Sequence, residues 1–251
     1  MAKESIYNYT LMLADTSLIM GHRLSEWTGH GPMLEQDISI TNIALDLIGQ
    51  ARNFYQYAAI IDTENGTSST EDSLAYLRDC NEYKNVLITE LPNGDWAQTT
   101  AKVFLLAAWQ YYTYGRLIYS PDKTISAIAE KSLKEVTYHL KWSSEWMQRL
   151  GNGTEESRSR LQKALNYLWP YTGEMLQPIA FEQEAFEKED FDAIKTDWQN
   201  YVLAILKEAT IDVDKESWMH SGGKSGTHTE HLGYILAEMQ YLQRAYPGCE
   251  W

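Results

Sequence analysis

The chain has 251 residues, 44% of them hydrophobic, which is enough to bury a large core within one domain. Its formal net charge of −14 argues against a nucleic acid partner, because phosphate binding requires clustered Lys and Arg. The only cysteines, Cys80 and Cys249, supply neither a disulfide framework nor a CxxC metal clip, which favours a reducing cytoplasm.

The sequence also argues against targeting segments. The N-terminal residues run directly into an amphipathic pattern and lack the apolar core of a signal peptide. No stretch approaches the roughly 18–20 uninterrupted apolar residues of a membrane span. Because no linker rich in Pro, Gly or Ser divides the chain either, we predict a single domain over 1–251 that is cytoplasmic and has no membrane partner.

The hydrophobic periodicity is helical almost throughout, which predicts an all-α fold. Ser5 is predicted to cap a first helix that ends near Trp27. The inner face of that helix is predicted to consist of Leu11, Ala14, Leu18 and Gly21. A long second helix is predicted over 33–61, and it is apolar over much of its circumference: Ile38, Ile40, Ile43, Ala44, Leu45, Leu47 and Ile48.

Turn residues divide the rest of the chain. A polar loop is predicted over 63–70. Asp95 is predicted to cap an apolar helix that runs to about Tyr119, and Thr154 to cap another that ends at Leu168. The remaining predicted helical segments are 73–90, 124–150, 173–185 with an interruption at Pro178, 188–208 and 228–246. The glycine-rich run at 222–226 predicts a flexible loop, because it lacks both the spacing and the preceding strand of a phosphate loop.

Polar residues recur at helical spacing within otherwise apolar helices. One stripe consists of Asp15, His22 and Glu26, and another of Asn42, Asp46, Gln50 and Asn53. Two interpretations stay open: each stripe is the solvent-facing side of its helix, or the stripes meet in the interior of the bundle.

The second interpretation predicts an internal polar cluster of Glu26, Asp46, Lys102 and His139. Lys102 is the only charged residue between Trp96 and Tyr114. A buried ammonium is costly unless it is paired, so Lys102 would need a carboxylate such as Asp46 or Glu26. The alternative is that Lys102 reaches solvent along its methylene stem.

The sequence lacks the histidine motif of a diiron helical bundle. Such a bundle takes one carboxylate from each of two helices and a Glu-x-x-His pair from each of the other two. None of the six histidines has a Glu three residues upstream; the residues there are Ile19, Trp27, Val136, Ser217, Ser225 and His228.

Four motifs carry a family resemblance: LIMGHRLSEWTGHGP at 18–32, NIALDLIGQAR at 42–52, ELPNGDW at 90–96 and THTEHLGYILAEMQ at 227–240. The chain resembles, over essentially its whole length, the C subunits of bacterial phenylacetyl-CoA epoxidases. The resemblance implies a ferritin-like helical bundle with additional peripheral helices. It also implies a structural, non-catalytic subunit that docks to a related diiron subunit. That partner epoxidises the aromatic ring of phenylacetyl-CoA with oxygen and electrons from a reductase.

Comparison with the metal-bearing sister subunit implies which ligand positions have changed. The first-helix carboxylate corresponds to Glu26, and the first Glu-x-x-His pair falls on Leu47 and Gln50. The second pair falls on Val136 and His139, and the remaining carboxylate falls near 102–104. Two hard ligands of six cannot hold iron usefully. We therefore expect no catalytic residue, metal or cofactor in this chain, and a diiron centre in the partner.

Two other hypotheses stay open. One is a metalloenzyme with an irregular site made of Glu26, Asp46 and His139, and the other is a carrier or regulator that binds CoA. His228 and His231, at i and i+3, are the best remaining metal pair, although hydrogen bonds that anchor a loop and start a helix explain them better. The expected partners are the catalytic subunit and, through self-association, a second copy of this chain.

Overall fold

In the computed structural model, which describes residues 3–64, 66–185 and 188–249, every regular element is helical. The predicted all-α class is therefore confirmed. The helices of these residues are, in chain order, α1 Lys3–Ser25, α2 Leu34–Glu64, α3 Glu71–Tyr76, α4 Trp96–Leu117, α5 Lys123–Gly151, α6 Glu155–Leu168, α7 Ala180–Ala185, α8 Lys188–Glu208, α9 Glu230–Met239 and α10 Tyr241–Ala245.

The described residues form two compact units. The first unit draws on Met1–Pro92, Ile179–Ala185 and Gly222–Trp251, and so contains α1–α3, α7, α9 and α10. The second draws on Asn93–Pro178 and Phe186–Ser221, and contains α4–α6 and α8.

Helix α1 is the central helix of the first unit. Every residue from 9 to 21 is buried, so α1 has no solvent-facing side over more than three turns. The predicted inner-face residues are all within this stretch. Its main neighbour is α2, and the two helices approach closely at Gly21, where an added Cβ would lie 2.9 Å from Ile48 Cγ1. Ser5 does not cap α1, because the helix already includes Lys3.

The second unit is built around the apolar helix α4, which is buried continuously from 99 to 110. It packs against α5, α6 and α8, and the indole Nε1 of Trp198 on α8 donates a hydrogen bond to the carbonyl of Leu105 at 3.1 Å. Both predicted caps are present. Asp95 accepts from the backbone N–H of Gln98, and Thr154 accepts from that of Ser157.

The structure corrects several predicted elements. The helix predicted over 73–90 ends at Tyr76, and only short 3-10 turns at Cys80–Glu82 and Leu87–Thr89 follow. The 228–246 segment breaks at Gln240 into α9 and α10. The 173–185 segment is interrupted at Pro178 as predicted, with a 3-10 turn at Gly173–Leu176 before it and α7 after it. The first of these corrections has a physical cause, because tertiary side chains satisfy the backbone there in place of helical hydrogen bonds.

We expect an added methyl group to have opposite effects on stability at two glycines of the second unit. A Cβ at Gly151 would lie 2.0 Å from the carbonyl oxygen of Ala209, whereas a Cβ at Gly115 would meet nothing within 4 Å. We expect Gly151→Ala to lower the free energy of unfolding by about 1–3 kcal/mol through overpacking. Gly115→Ala should raise it by up to about 1 kcal/mol through helix propensity. Urea melts measure both, and a Gly151→Ala variant as stable as the parent would contradict the packing described.

Candidate functional site, a buried polar network in the first unit

Irregular backbone runs through the interior of the first unit over residues 77–92, here called the 77–92 segment. Tyr83, Val86, Ile88 and Leu91 are completely buried, although no α-helix contains them. Buried backbone N–H and C=O groups need partners wherever regular structure does not supply them. Side chains from α1, α9 and the loop before α9 provide several of these partners.

The buried carboxylate of Asp15 on α1 fixes the first half of the segment. The guanidinium of Arg78 donates to both of its oxygens, with Nη1 3.1 Å from Oδ2. The backbone N–H of Lys84 donates to Oδ2 at 2.8 Å, and the hydroxyl of Tyr55 donates to Oδ1. Arg78 Nη1 also donates to the carbonyl of Glu82 at 2.9 Å. One carboxylate therefore joins α1, α2 and the segment.

The protonation states in this cluster follow from burial and charge. Burial alone would lower the pKa of Arg78, but the charge of Asp15 and the neighbouring Tyr55 outweigh that effect and leave the pKa raised. Burial raises the pKa of Tyr55 well above its ordinary value, and the charge of Asp15 raises it further. Arg78 is therefore cationic at neutral pH, and Tyr55 keeps the proton that it donates.

The end of α9 holds the same part of the segment from another direction. Gln240 Nε2 donates to the carbonyl of Arg78 at 2.9 Å and to the hydroxyl of Tyr83 at 3.0 Å. That hydroxyl donates in turn to the carbonyl of Ala75, and the guanidinium of Arg78 lies 4.3 Å from the centre of the Tyr83 ring. The C-terminal helices are thus tied to the segment through buried polar groups.

A second carboxylate, that of Glu90, binds the residues just before α9. The backbone N–H of Thr229 donates to Glu90 Oε1 at 2.8 Å, and His228 Nδ1 lies 3.2 Å from Oε2. The other ring nitrogen of His228 is 2.9 Å from the carbonyl oxygen of Tyr83. Arg23 on α1 donates to the carbonyl of Glu90 from Nε at 3.1 Å and from Nη2 at 2.9 Å.

The imidazole of His228 therefore lies between two acceptors, an arrangement that favours the doubly protonated ring. Burial alone would lower the pKa of His228, but the nearby charge of Glu90 and the contact with the carbonyl of Tyr83 raise it above its ordinary value. The loop-anchoring role considered from sequence is the one that His228 adopts, and the backbone N–H of His231 bonds to the cap residue Thr229.

A third buried pair orders the glycine-rich loop that the sequence predicted to be flexible. Lys224 Nζ lies 3.0 Å and 2.8 Å from the two carboxylate oxygens of Glu182 on α7. The backbone N–H of Ile179 also donates to Glu182, at 2.9 Å. Gly226 adopts a φ of +82°, and an added Cβ would lie 2.2 Å from the carbonyl oxygen of Asn81. The loop is therefore held by packing and by a buried ion pair, and its flexibility stays a prediction.

This network can stabilise the conformation of the first unit, but its side chains are buried. Those of Asp15, Glu90, His228, Lys224 and Glu182 are each at most 3% exposed. They are engaged with one another and with backbone groups, so none of these five presents a nucleophile or a general acid to solvent. Sequence reasoning missed Arg78, Glu90 and Glu182; the available signal was Asp15, the only charged residue between Glu4 and His22.

The residues of the predicted internal cluster are distributed over both units. In the first unit, Glu26 is exposed and forms an ion pair with Arg23, with Nη1 and Oε1 2.8 Å apart, while Asp46 is partly buried on α2. In the second unit, His139 is buried on α5, and Lys102 is fully buried and donates to Asn93 Oδ1 at 3.1 Å. The pairing of Lys102 with Asp46 or Glu26 stays a prediction.

The positions that the resemblance assigns to Glu-x-x-His pairs are interior positions. Leu47 and Gln50 are buried on α2, and Val136 and His139 are buried on α5. Within the described ranges, no three His, Cys, Asp or Glu side chains are grouped so that they could hold a metal ion. The residues present at these positions do not fit a diiron centre, because leucine and valine offer no donor atom.

The helices were also compared with the requirements of a membrane-spanning segment. None of those in the described part of the chain combines the length and the apolar character that crossing a bilayer requires.

Comparison with known proteins extends over the whole chain. The model of the phenylacetic acid catabolic protein family matches residues 1–251. A curated relative from Escherichia coli (strain K12), the C subunit of 1,2-phenylacetyl-CoA epoxidase, is 44% identical over 247 residues, which are 97% of this chain and 98% of the relative.

The His228–Glu90 pair predicts a pH-dependent contribution to stability. Because the folded-state pKa of His228 is raised, this contribution is fully present below the unfolded-state pKa of about 6.5 and is lost as pH rises through the folded-state value. His228→Gln should therefore lower the free energy of unfolding by roughly 3 kcal/mol near pH 6. The loss should be clearly smaller near pH 9.

Urea unfolding of the parent and the variant at both pH values measures this difference. The exposed His30 provides the control, since His30→Gln should change stability by less than about 0.5 kcal/mol at either pH. An equal loss at pH 6 and pH 9 for His228→Gln would show that no charged pair forms.

Proposed function

Because the chain belongs to the phenylacetic acid catabolic protein family, we propose that it is the structural, non-catalytic subunit of a 1,2-phenylacetyl-CoA epoxidase complex. In this role it is a ferritin-like pseudoenzyme of aerobic phenylacetate catabolism and acts in the cytoplasm. It docks to the diiron catalytic subunit, forms a hetero-oligomer with it and supports the helices that carry its iron ligands.

One observation carries the non-catalytic assignment. The positions that a diiron bundle fills with Glu-x-x-His hold Leu47 with Gln50 and Val136 with His139, and all four side chains are buried. Two of the four offer no donor to iron, and a buried leucine or valine contributes packing instead. These helices retain interior surfaces of the kind found in the bundle but have lost ligand chemistry.

The buried polar network of the first unit supports the docking role. Iron ligands must be held in place by a surrounding layer of packed and hydrogen-bonded groups, and a partner chain can supply part of that layer. A supporting subunit needs a stable shape more than it needs reactive side chains. The ion pairs of Asp15, Glu90 and Glu182, all buried, are suited to maintain such a shape.

Iron analysis tests the absence of a metal site. After expression in iron-rich medium, the purified chain should carry far less than one iron per molecule, because Leu47, Gln50 and Val136 replace ligands. The catalytic subunit, prepared from the same medium, is the positive control. About two irons per chain, the content of a complete diiron site, would favour the metalloenzyme built from Glu26, Asp46 and His139.

Reconstitution tests the structural role. Mixed at micromolar concentration, this chain and the diiron subunit should elute as one complex in size-exclusion chromatography. Turnover of phenylacetyl-CoA with oxygen and reductase should require the diiron subunit and should rise when this chain is added. Separate peaks at both low and high salt, with turnover unaffected by this chain, would contradict the proposal.

A further inference from the structure

Helix α2 carries an apolar stripe on its solvent-facing side, in addition to the face that packs against α1. Leu34, Ile38 and Leu45 are 70%, 51% and 60% exposed. Together with Gly49 they recur at spacings of four, seven and four residues, so they lie along one face of the helix. These four residues are here called the α2 stripe. Large aliphatic side chains aligned on an exposed face are typical of a protein interface.

Gly49 strengthens this interpretation. It lies in the middle of a 31-residue helix, where glycine is less favourable than alanine. Nothing within the described chain lies within 4 Å of the position where its Cβ would be, so internal packing does not require a glycine there. The absence of a side chain would allow the backbone of a second helix to approach α2 closely at this point.

The charges around the stripe indicate what kind of partner it fits. Residues 34–51 include Glu35, Asp37 and Asp46 and contain no Lys, Arg or His. The next residue, Arg52, lies at the end of the stripe and forms an ion pair with Glu71, with Nε and Oε1 3.0 Å apart. A second copy of this chain, itself at net charge −14, would bring like charges together along the stripe. An apolar helix flanked by Lys or Arg would be attracted to it.

We propose that the α2 stripe is the docking surface for one amphipathic helix of the diiron subunit, with basic residues beside the apolar face of that helix. The spacing of the stripe suits helix-on-helix packing, in which side chains of one helix fill the grooves of the other. The choice of partner rests on the proposed function. The choice of surface rests on the exposure of Leu34, Ile38 and Leu45 and on the open space at Gly49.

Leu45→Glu tests the surface. It should leave the thermal unfolding temperature of the isolated chain within a few degrees of the parent, because Leu45 is exposed, and weaken binding to the diiron subunit by about tenfold or more. Leu242→Glu on α10 is the matched control, since Leu242 is similarly exposed at 47% but lies outside the stripe. It should change the Kd by less than about twofold.

Gly49→Ala provides a second test that does not depend on adding charge. In the isolated chain it should raise the unfolding temperature, because alanine favours the helix and the added methyl group meets nothing. In the complex it should weaken binding, because the methyl group would separate two closely packed backbones. A variant that is both more stable and more weakly bound supports close helix packing at this position.

The outcomes distinguish the stripe from the proposed function. If the parent chain does not bind the diiron subunit, the proposed function is wrong, and the partner named for the stripe is wrong with it. If the parent binds and both Leu45→Glu and Gly49→Ala bind equally well, the stripe is not the docking surface. If the isolated parent elutes as a dimer that Leu45→Glu converts to a monomer, the occupant is a second copy.

Discussion

The carboxylate of Asp15 supplies hydrogen-bond partners to the 77–92 segment, where the backbone is buried but not helical. Buried irregular backbone is tolerated only when its N–H and C=O groups find partners. Asp15 accepts a hydrogen bond from the backbone N–H of Lys84 and balances the charge of Arg78. Arg78 in turn donates a hydrogen bond to the carbonyl of Glu82. Without that charge, Arg78 would be a buried cation with no counter-ion, and the 77–92 segment would lose its main attachment to α1.

The same logic explains how the C-terminal residues join the first unit. His228, Thr229 and Gln240 attach the start and end of α9 to the segment, and Lys224 attaches the preceding loop to α7. Titratable side chains that resemble catalytic candidates in the sequence are thus used to hold chain segments together. That use agrees with the proposed non-catalytic role, because buried Leu47 and Val136 contribute packing at positions where the resemblance places iron ligands in the sister subunit.

Local signals in the sequence predicted the long helices and the caps of α4 and α6, because periodicity and capping depend on near neighbours along the chain. They failed at 73–90, which is apolar enough to suggest a helix. The competing interactions come from distant residues: Arg78 is 63 positions from Asp15, and Tyr83 is 145 positions from His228. The contacts of the glycine-rich loop were likewise not visible in the local sequence, since its ion pair joins Lys224 to Glu182, 42 positions away.

For function too, the sequence predicts features that depend on local patterns and misses those that depend on tertiary packing. Missing ligands can be read from a sequence, because a Glu-x-x-His pair is a local pattern. A docking surface cannot be read in that way when a helix is apolar over much of its circumference. In α2 the sequence alone does not separate Ile40, Ile43 and Leu47, which are buried, from Leu34, Ile38 and Leu45, which are exposed. Only the packing of α1 against one side shows that the other side is exposed, and that exposed side is the one proposed here for a partner.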